Sequence, residues 1–142
     1  MALVELDTAT EFGARVARRL REELIAWLVT VHPDGTPQPV PVWFLWDGRT
    51  VLLYSQPDTG KLRNLAANPR VALHLDGDGR GGDIVVLTGE ARVVTDVPPA
   101  DRVPAYLEKY RPAIGRIGMT PERFARAYSV ALRFAPRRLY GH

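Results

Sequence analysis

The sequence predicts a mainly β protein, an antiparallel barrel of about six strands with peripheral helices, and three observations carry that prediction. Runs of β-branched, aromatic and aliphatic residues recur along the chain, and most are separated only by turn residues such as HPDGTP at 32–37 and Asp47-Gly48. Helical periodicity is confined to the start, the middle and the stretch before the last strand. Residues 51–75, VLLYSQPDTGKLRNLAANPRVALHL, change period twice, from strand to short helix and back to strand.

Taken in order, Asp7 or Thr8 is expected to open a first helix. Thr8 and Glu11 have capping-box spacing, and Phe12, Val16 and Leu20 recur four residues apart. Arg15, Arg18, Arg19 and Arg21 fall off that stripe and are expected to be solvated. Residues 24–31 and 38–46 read as the two strands of a hairpin. Pro37, Pro39 and Pro41 lie two apart, so their missing N–H groups share one side and the second strand belongs at a sheet edge. That edge could face solvent, a cofactor ring or a partner chain, and Trp43 and Trp46 beside it read first as core or dimer residues.

A third strand runs over residues 51–55 and a short helix over 61–67, closed by Asn68 and Pro69. A fourth strand follows, in which Val71, Leu73 and Leu75 alternate with Ala72 and His74. The glycine-rich run 76–83, DGDGRGGD, lacks the glutamate that closes an EF-hand and is expected to be a mobile hairpin loop. Residues 84–94 form a long strand in which Gly89 marks a bulge or a barrel corner. A helix is expected from Asp96, with Val103, Tyr106, Leu107 and Tyr110 as its packing face and Pro112 as its end. Thr120 and Pro121 start another short helix, and residues 129–134 form the last strand before Pro136 and a basic, aromatic tail.

At 142 residues and 46% hydrophobic content the chain is one domain, residues 1–142, large enough to bury a sizeable core. The absence of cysteine excludes disulfides, thiolate catalysis and Cys-based metal sites. No stretch has signal-peptide or membrane-span character, so the expected location is cytoplasmic. The net charge of +3 comes from arginines scattered among the elements, without the basic aromatic stripe of a nucleic-acid binder. No metal site is expected, because no second ligand stands at a metal spacing from His74.

The turn between the third strand and the short helix carries the chemistry. Asp58 or Thr59 can cap a helix whose first N–H groups are free, with the Ser55 hydroxyl and the Lys61 ammonium close by, an arrangement adequate to cradle a phosphate. The same residues also read as a capped helix with Lys61 as an ordinary solvated cation. No nucleophile elbow, P-loop, dinucleotide-binding glycine motif or carboxylate pair is present, and no catalytic residue stands out. Hydride transfer needs none of these, because there a cofactor supplies the reactive chemistry.

The order strand, Ser55, Lys61, Leu65, Asn68, Pro69, strand resembles the pyridoxamine 5'-phosphate oxidase-like split β-barrels. PVPVWFLWDGRTVLLYSQ at 39–56, GDIVVLTGEARVVTD at 82–96 and LEKYRPAIGRIGMTPERFARAYSVALRF at 107–134 resemble the small actinobacterial branch that uses the deazaflavin coenzyme F420. The resemblance covers residues 24–141. It implies an FMN-binding-like split barrel and a homodimer with the cofactor in a groove between subunits. Ser55, Gln56 and Lys61 would then lie at the phosphate, with Thr59 as an extra donor, and Val42 and Trp43 near the ring. The arginine-rich FMN motif of the oxidases proper is not evident. The resemblance therefore implies an oxidoreductase passing a hydride from reduced F420 to a small conjugated or quinone-like acceptor. FMN is the alternative cofactor, and a non-catalytic dimer binding flavin, F420 or haem is the alternative role. Arg49, Arg63, Arg80, Arg137 and Arg138 could supply a loose basic surface for the carboxylate tail of F420.

Overall fold

Seven strands form one antiparallel sheet in the computed structural model, which describes residues 2–142. In chain order the elements are α1 (Glu11–Glu22), β1 (Ala26–Val31), β2 (Pro37–Val42), β3 (Leu45–Trp46), β4 (Val51–Ser55), α2 (Gly60–Ala67), β5 (Arg70–His74), β6 (Val85–Val94), α3 (Pro104–Arg116), α4 (Pro121–Ala127) and β7 (Val130–Gly141). The strands lie in the order β2-β1-β5-β6-β7-β4-β3. The proline-bearing β2 is an edge strand, as its pattern requires. The seventh strand arises because the expected strand over 38–46 is broken at Trp43 and Phe44, and its two pieces occupy opposite edges of the sheet.

That break dictates the overall shape. A flat sheet of seven strands at about 4.8 Å spacing would hold its edges roughly 29 Å apart. Here the edges are joined by Trp43 and Phe44 alone, a link that spans at most about 11 Å. The sheet must therefore curl until its edges meet at that end, giving a half-barrel. Both backbone polar groups of Phe44 in this buried crossover are satisfied from α3. The Tyr110 hydroxyl accepts from the Phe44 N–H at 2.8 Å and donates to the Leu24 carbonyl at 2.7 Å, while Lys109 Nζ donates to the Phe44 carbonyl at 2.9 Å.

Two cores result. Inside the curl, Val16 and Leu20 of α1 pack with Leu28, Phe44, Val51, Leu53, Leu73, Leu87 and Phe134. Outside it, α3 and α4 bury Tyr106, Tyr110, Ile114 and Phe124 against Leu52, Tyr54 and Ala131. Strand β4 is covered on both faces, which is why VLLY is apolar throughout rather than alternating.

Several local expectations give way to these contacts. Thr10, not Asp7 or Thr8, caps α1: its Oγ1 accepts from Gly13 N at 3.0 Å, and Asp7 instead closes the preceding turn. Arg19 is not solvated. It is 9% exposed, donates to the Asp83 carbonyl at 2.6 Å and reaches the Asp76 carbonyl and Glu23, while Arg15 pairs with Asp83 at 3.1 Å. The 76–83 loop is therefore pinned by α1, and Asp78 Oδ1 further closes it on the Arg80 and Gly82 amides.

Residues 95–97 form a bend before a 3₁₀ turn at Ala100–Arg102, so α3 starts later than expected, with Pro104 in its first turn. Pro112 does not end α3. An internal proline costs about 3 kcal/mol, and burial of Ile114 in the outer core returns roughly 1.5–3 kcal/mol of it. Strand β7 likewise continues through Pro136 to Gly141, because Pro136 sits opposite the β6 bulge between Thr88 and Gly89, where a proline can be accommodated.

Lys109 makes stability depend on pH. Its ammonium lies 3.8 Å from the Phe44 ring centroid, and burial pushes its pKa down to about 8, with Glu23 opposing. Below that value both folded and unfolded chains hold the proton, and the cost of burying the charge is present in full. Above it the unfolded chain still binds a proton that the folded chain has released, so stability rises with pH toward the ordinary lysine range near about 10. Burial raises the pKa of Tyr106 and Tyr110, which lowers stability only above about pH 10, where the unfolded phenols ionise. Lys109→Met should flatten the rise between pH 8 and 10 in urea unfolding series. An unchanged slope in that variant would assign the rise to another group.

Candidate functional site

The site is built around α2. Asp58, at φ 60°, turns the chain out of β4, and Thr59 occupies the cap position with its side chain making no capping hydrogen bond. The first amides of α2 therefore have no side-chain acceptor. Ser55 is buried, and its hydroxyl donates to the Gln56 carbonyl at 2.8 Å and lies 3.3 Å from Thr59 Oγ1. Asn64, 3% exposed, donates through Nδ2 to Thr30 Oγ1 at 2.9 Å and to Gln38 Oε1 at 2.7 Å, fastening α2 to β1 and β2.

Lys61 stands where two depressions meet. One is a groove of about 470 Å³ in which Thr30, Gln38, Thr59 and Lys61 stand among Pro37, Pro39 and Val40. The other is an aromatic cleft of about 230 Å³ whose walls include Val42, Trp43, Tyr54, Lys61, Tyr106 and Phe124. Trp43 stacks on Tyr110 at 4.9 Å and on Phe124 at 5.3 Å, which packs it into the outer core at the cleft wall. The Lys61 side chain has no hydrogen bond or ion pair to any described residue, and burial pushes its pKa below the ordinary lysine value. A half-buried cation without a counter-charge, beside uncapped amides and a threonine hydroxyl, has the donor set that an anionic oxygen group needs.

Of the residues singled out from the sequence, the fold brings Val42, Trp43 and Lys61 to the aromatic cleft and Thr59 and Lys61 to the groove. Ser55 lies beneath them with its hydroxyl engaged internally. Gln56 is exposed and lines neither depression. Tyr54, Tyr106, Phe124, Gln38 and Asn64 had no local signal pointing to the site. Tyr106 stood in a helical packing stripe, and only the closure of the sheet over α3 carries that stripe to the cleft. Arg63 is engaged with the Asp58 carbonyl at 2.7 Å, and Arg137 pairs with Glu90 at 3.2 Å on β6. Arg49 and Arg80 lie in separate turns.

A family model described as pyridoxamine 5'-phosphate oxidase matches residues 12–142. The chain belongs to the pyridoxamine 5'-phosphate oxidase family. Its half-barrel is the split barrel of that family, as the residue patterns led one to expect. Among solved structures of this fold, an F420 reductase is 27% identical, with 87% of this chain and 94% of that one covered and a TM-score of 0.63. A conserved hypothetical protein from Mycobacterium tuberculosis is 26% identical, with 96% and 84% covered and a TM-score of 0.69. The heme storage protein HutZ from Vibrio cholerae shares the fold at 14% identity, with 97% and 95% covered and a TM-score of 0.61. No curated protein matches the chain. No helix among the described residues is long and apolar enough to cross a membrane.

Proposed function

We propose that this member of the pyridoxamine 5'-phosphate oxidase family is an oxidoreductase that binds F420 and passes a hydride from its reduced form to a small conjugated or quinone-like acceptor. The observation that carries the reading is Lys61, a half-buried cation with no internal counter-charge, shared by the groove beside Thr59 and an aromatic cleft. A ligand with an anionic group at one end and a planar ring at the other matches that pair of surfaces. In this reading Lys61, the Thr59 hydroxyl and the first amides of α2 hold the phosphate. Val42 and Trp43 wall the ring and keep water from it. Bound F420 supplies the hydride chemistry. The likeness to an F420 reductase supports the choice of cofactor, and FMN is the alternative for the same surfaces.

A haem-binding role has less support. His32 sits in the exposed 32–37 turn beside Asp34 and His74 stacks with Trp27, and none of the three histidines lines the cleft or the groove.

The functional unit is proposed to be a cytoplasmic homodimer. Its support is the exposed proline edge of β2, which adjoins both depressions and would complete them with a second copy, an interface of the order of 2,000 Å². Sedimentation as a monomer at micromolar concentration would remove the two-subunit groove.

F420 is expected to bind more tightly than FMN, and its binding is expected to weaken with added salt, because its carboxylate tail would lie on exposed arginines. Fluorescence titrations at low and high ionic strength test both statements. Tighter FMN binding under both conditions, or F420 binding indifferent to salt, transfers the assignment to FMN.

A further inference from the structure

Gln38 is exposed on the edge strand β2, yet its side-chain amide is not free to turn. Asn64 of α2, buried beneath it, donates from Nδ2 to Thr30 Oγ1 at 2.9 Å and to Gln38 Oε1 at 2.7 Å. A donor on that side requires the Gln38 oxygen to face Asn64. Nε2 is left as the unengaged end of a side chain that lines the groove beside Lys61. That amide is the donor β2 brings to the groove. Pro37 and Pro39 line it without an N–H, and the N–H groups of the residues that alternate with them turn the other way, towards β1. Charge is equally sparse. Among the described residues lining the groove Lys61 is the only ionisable group, while Asp58 and Arg63, its charged neighbours in sequence, stand outside it.

We propose that Gln38 is a specificity-determining contact for the phosphate, and that one cation with one neutral amide donor selects a singly charged phosphodiester over a doubly charged monoester. The inference deepens the proposed function and rests on it for placing a phosphate in this groove. Attraction to a single cation grows in proportion to the ligand's charge, whereas the cost of taking that charge out of water grows as its square. Lys61 balances one negative charge, and a second would be desolvated beside neutral groups only. The phosphate of F420 is a diester and that of FMN a monoester, so the two candidate cofactors differ at this group as well as in their tails.

The test compares FMN with its phosphate methyl ester, which has the same ring and ribityl chain and keeps a single negative charge throughout. FMN carries two charges at about pH 8 and one at about pH 5, since its second ionisation lies near about pH 6. The groove, at about 470 Å³, has room for the added methyl group. Affinities are read from flavin fluorescence, with the methyl ester as the control for titration of protein groups. The wild-type protein is expected to bind the methyl ester more tightly than FMN at the higher pH, and the difference is expected to close at the lower one. Gln38→Met, which keeps the length and lacks the amide, is expected to weaken methyl ester binding by about 3- to 10-fold.

Gln38→Glu supplies a second variant that keeps the fold. It retains an oxygen to accept from Asn64 and replaces Nε2 by a carboxylate oxygen, so it should melt like the wild type while losing affinity for both esters, FMN most at the higher pH. FMN binding as tightly as the methyl ester at the higher pH, a preference that does not change with pH, or binding of neither ester each overturn the inference. Unchanged affinities in Gln38→Met overturn it too, and with a lowered melting temperature they would make Gln38 a fastener of α2 alone. Failure of F420 to bind, with the methyl ester preference intact, would remove the proposed F420 function and leave the phosphodiester preference standing. F420 binding without that preference would remove the Gln38 inference alone.

Discussion

Lys61→Ala is expected to weaken F420 binding by about 10- to 100-fold, the equivalent of about 1.5–3 kcal/mol for a charge-assisted hydrogen bond. The size follows from the setting. Lys61 is half-buried, its charge is penalised by that burial, and the structure offers it no carboxylate, so a ligand phosphate is the partner that offsets the penalty. The same reasoning predicts little cost to the fold: an ammonium without an internal partner contributes no ion pair to lose, and the melting temperature of the variant should stay close to that of the wild type. Lys61→Arg should recover part of the affinity, because charge is restored while the geometry differs. The measurements are a fluorescence titration and a thermal melt on the same preparations. Unchanged F420 affinity in Lys61→Ala would make this residue an ordinary solvated lysine and move the phosphate elsewhere.

Gly89→Ala is expected to destabilise the fold by about 1–3 kcal/mol or more through overpacking, although it adds only a methyl group. A Cβ at Gly89 would lie against the Ala135 carbonyl, well inside van der Waals contact, and close to the backbone nitrogen of Arg137 at 3.1 Å. Those atoms are backbone in the neighbouring strand β7, so no side chain can swing away. Relief requires β6 and β7 to separate at the bulge, where Gly89 faces Pro136 on one side and Val71 on the other. For a domain of this size the loss corresponds to a fall in melting temperature of roughly 3–12 °C. Gly115→Ala serves as the control. A Cβ there meets nothing within 4 Å and Gly115 lies within α3, so this change is expected to raise stability by about 0.5–1 kcal/mol. Equal melting temperatures for the two variants would show that the β6–β7 bulge opens without cost.

Much of the architecture was legible in the residues because the signals concerned are local. Alternation in 71–75, the Asp47-Gly48 turn, the proline edge of β2, the bulge at Gly89 and the Thr120-Pro121 helix start each record what one short piece of backbone prefers, and each is present in the fold. The position of Lys61 at the start of α2 is local in the same way, since a strand that ends at Ser55 and a helix that starts at Gly60 leave few places for the side chain to go.

Tertiary structure decided what depends on distant partners. Local rules end α3 at Pro112 and the last strand before Pro136, yet Ile114 in the outer core and the bulge opposite Pro136 carry both elements onward. Arg19 reads as a solvated residue on a basic helix face until the Asp76 and Asp83 carbonyls arrive from a loop more than fifty residues away. The site divides along the same line. Its cation and, through the family resemblance, Trp43 were visible in sequence, but the rest of its aromatic wall was not, because Trp43, Tyr54, Tyr106 and Phe124 belong to four separate segments that meet only when the two edges of the sheet are joined through Trp43 and Phe44. Local periodicity determines which face of each element is apolar; closure of the sheet determines which of those faces become a cleft.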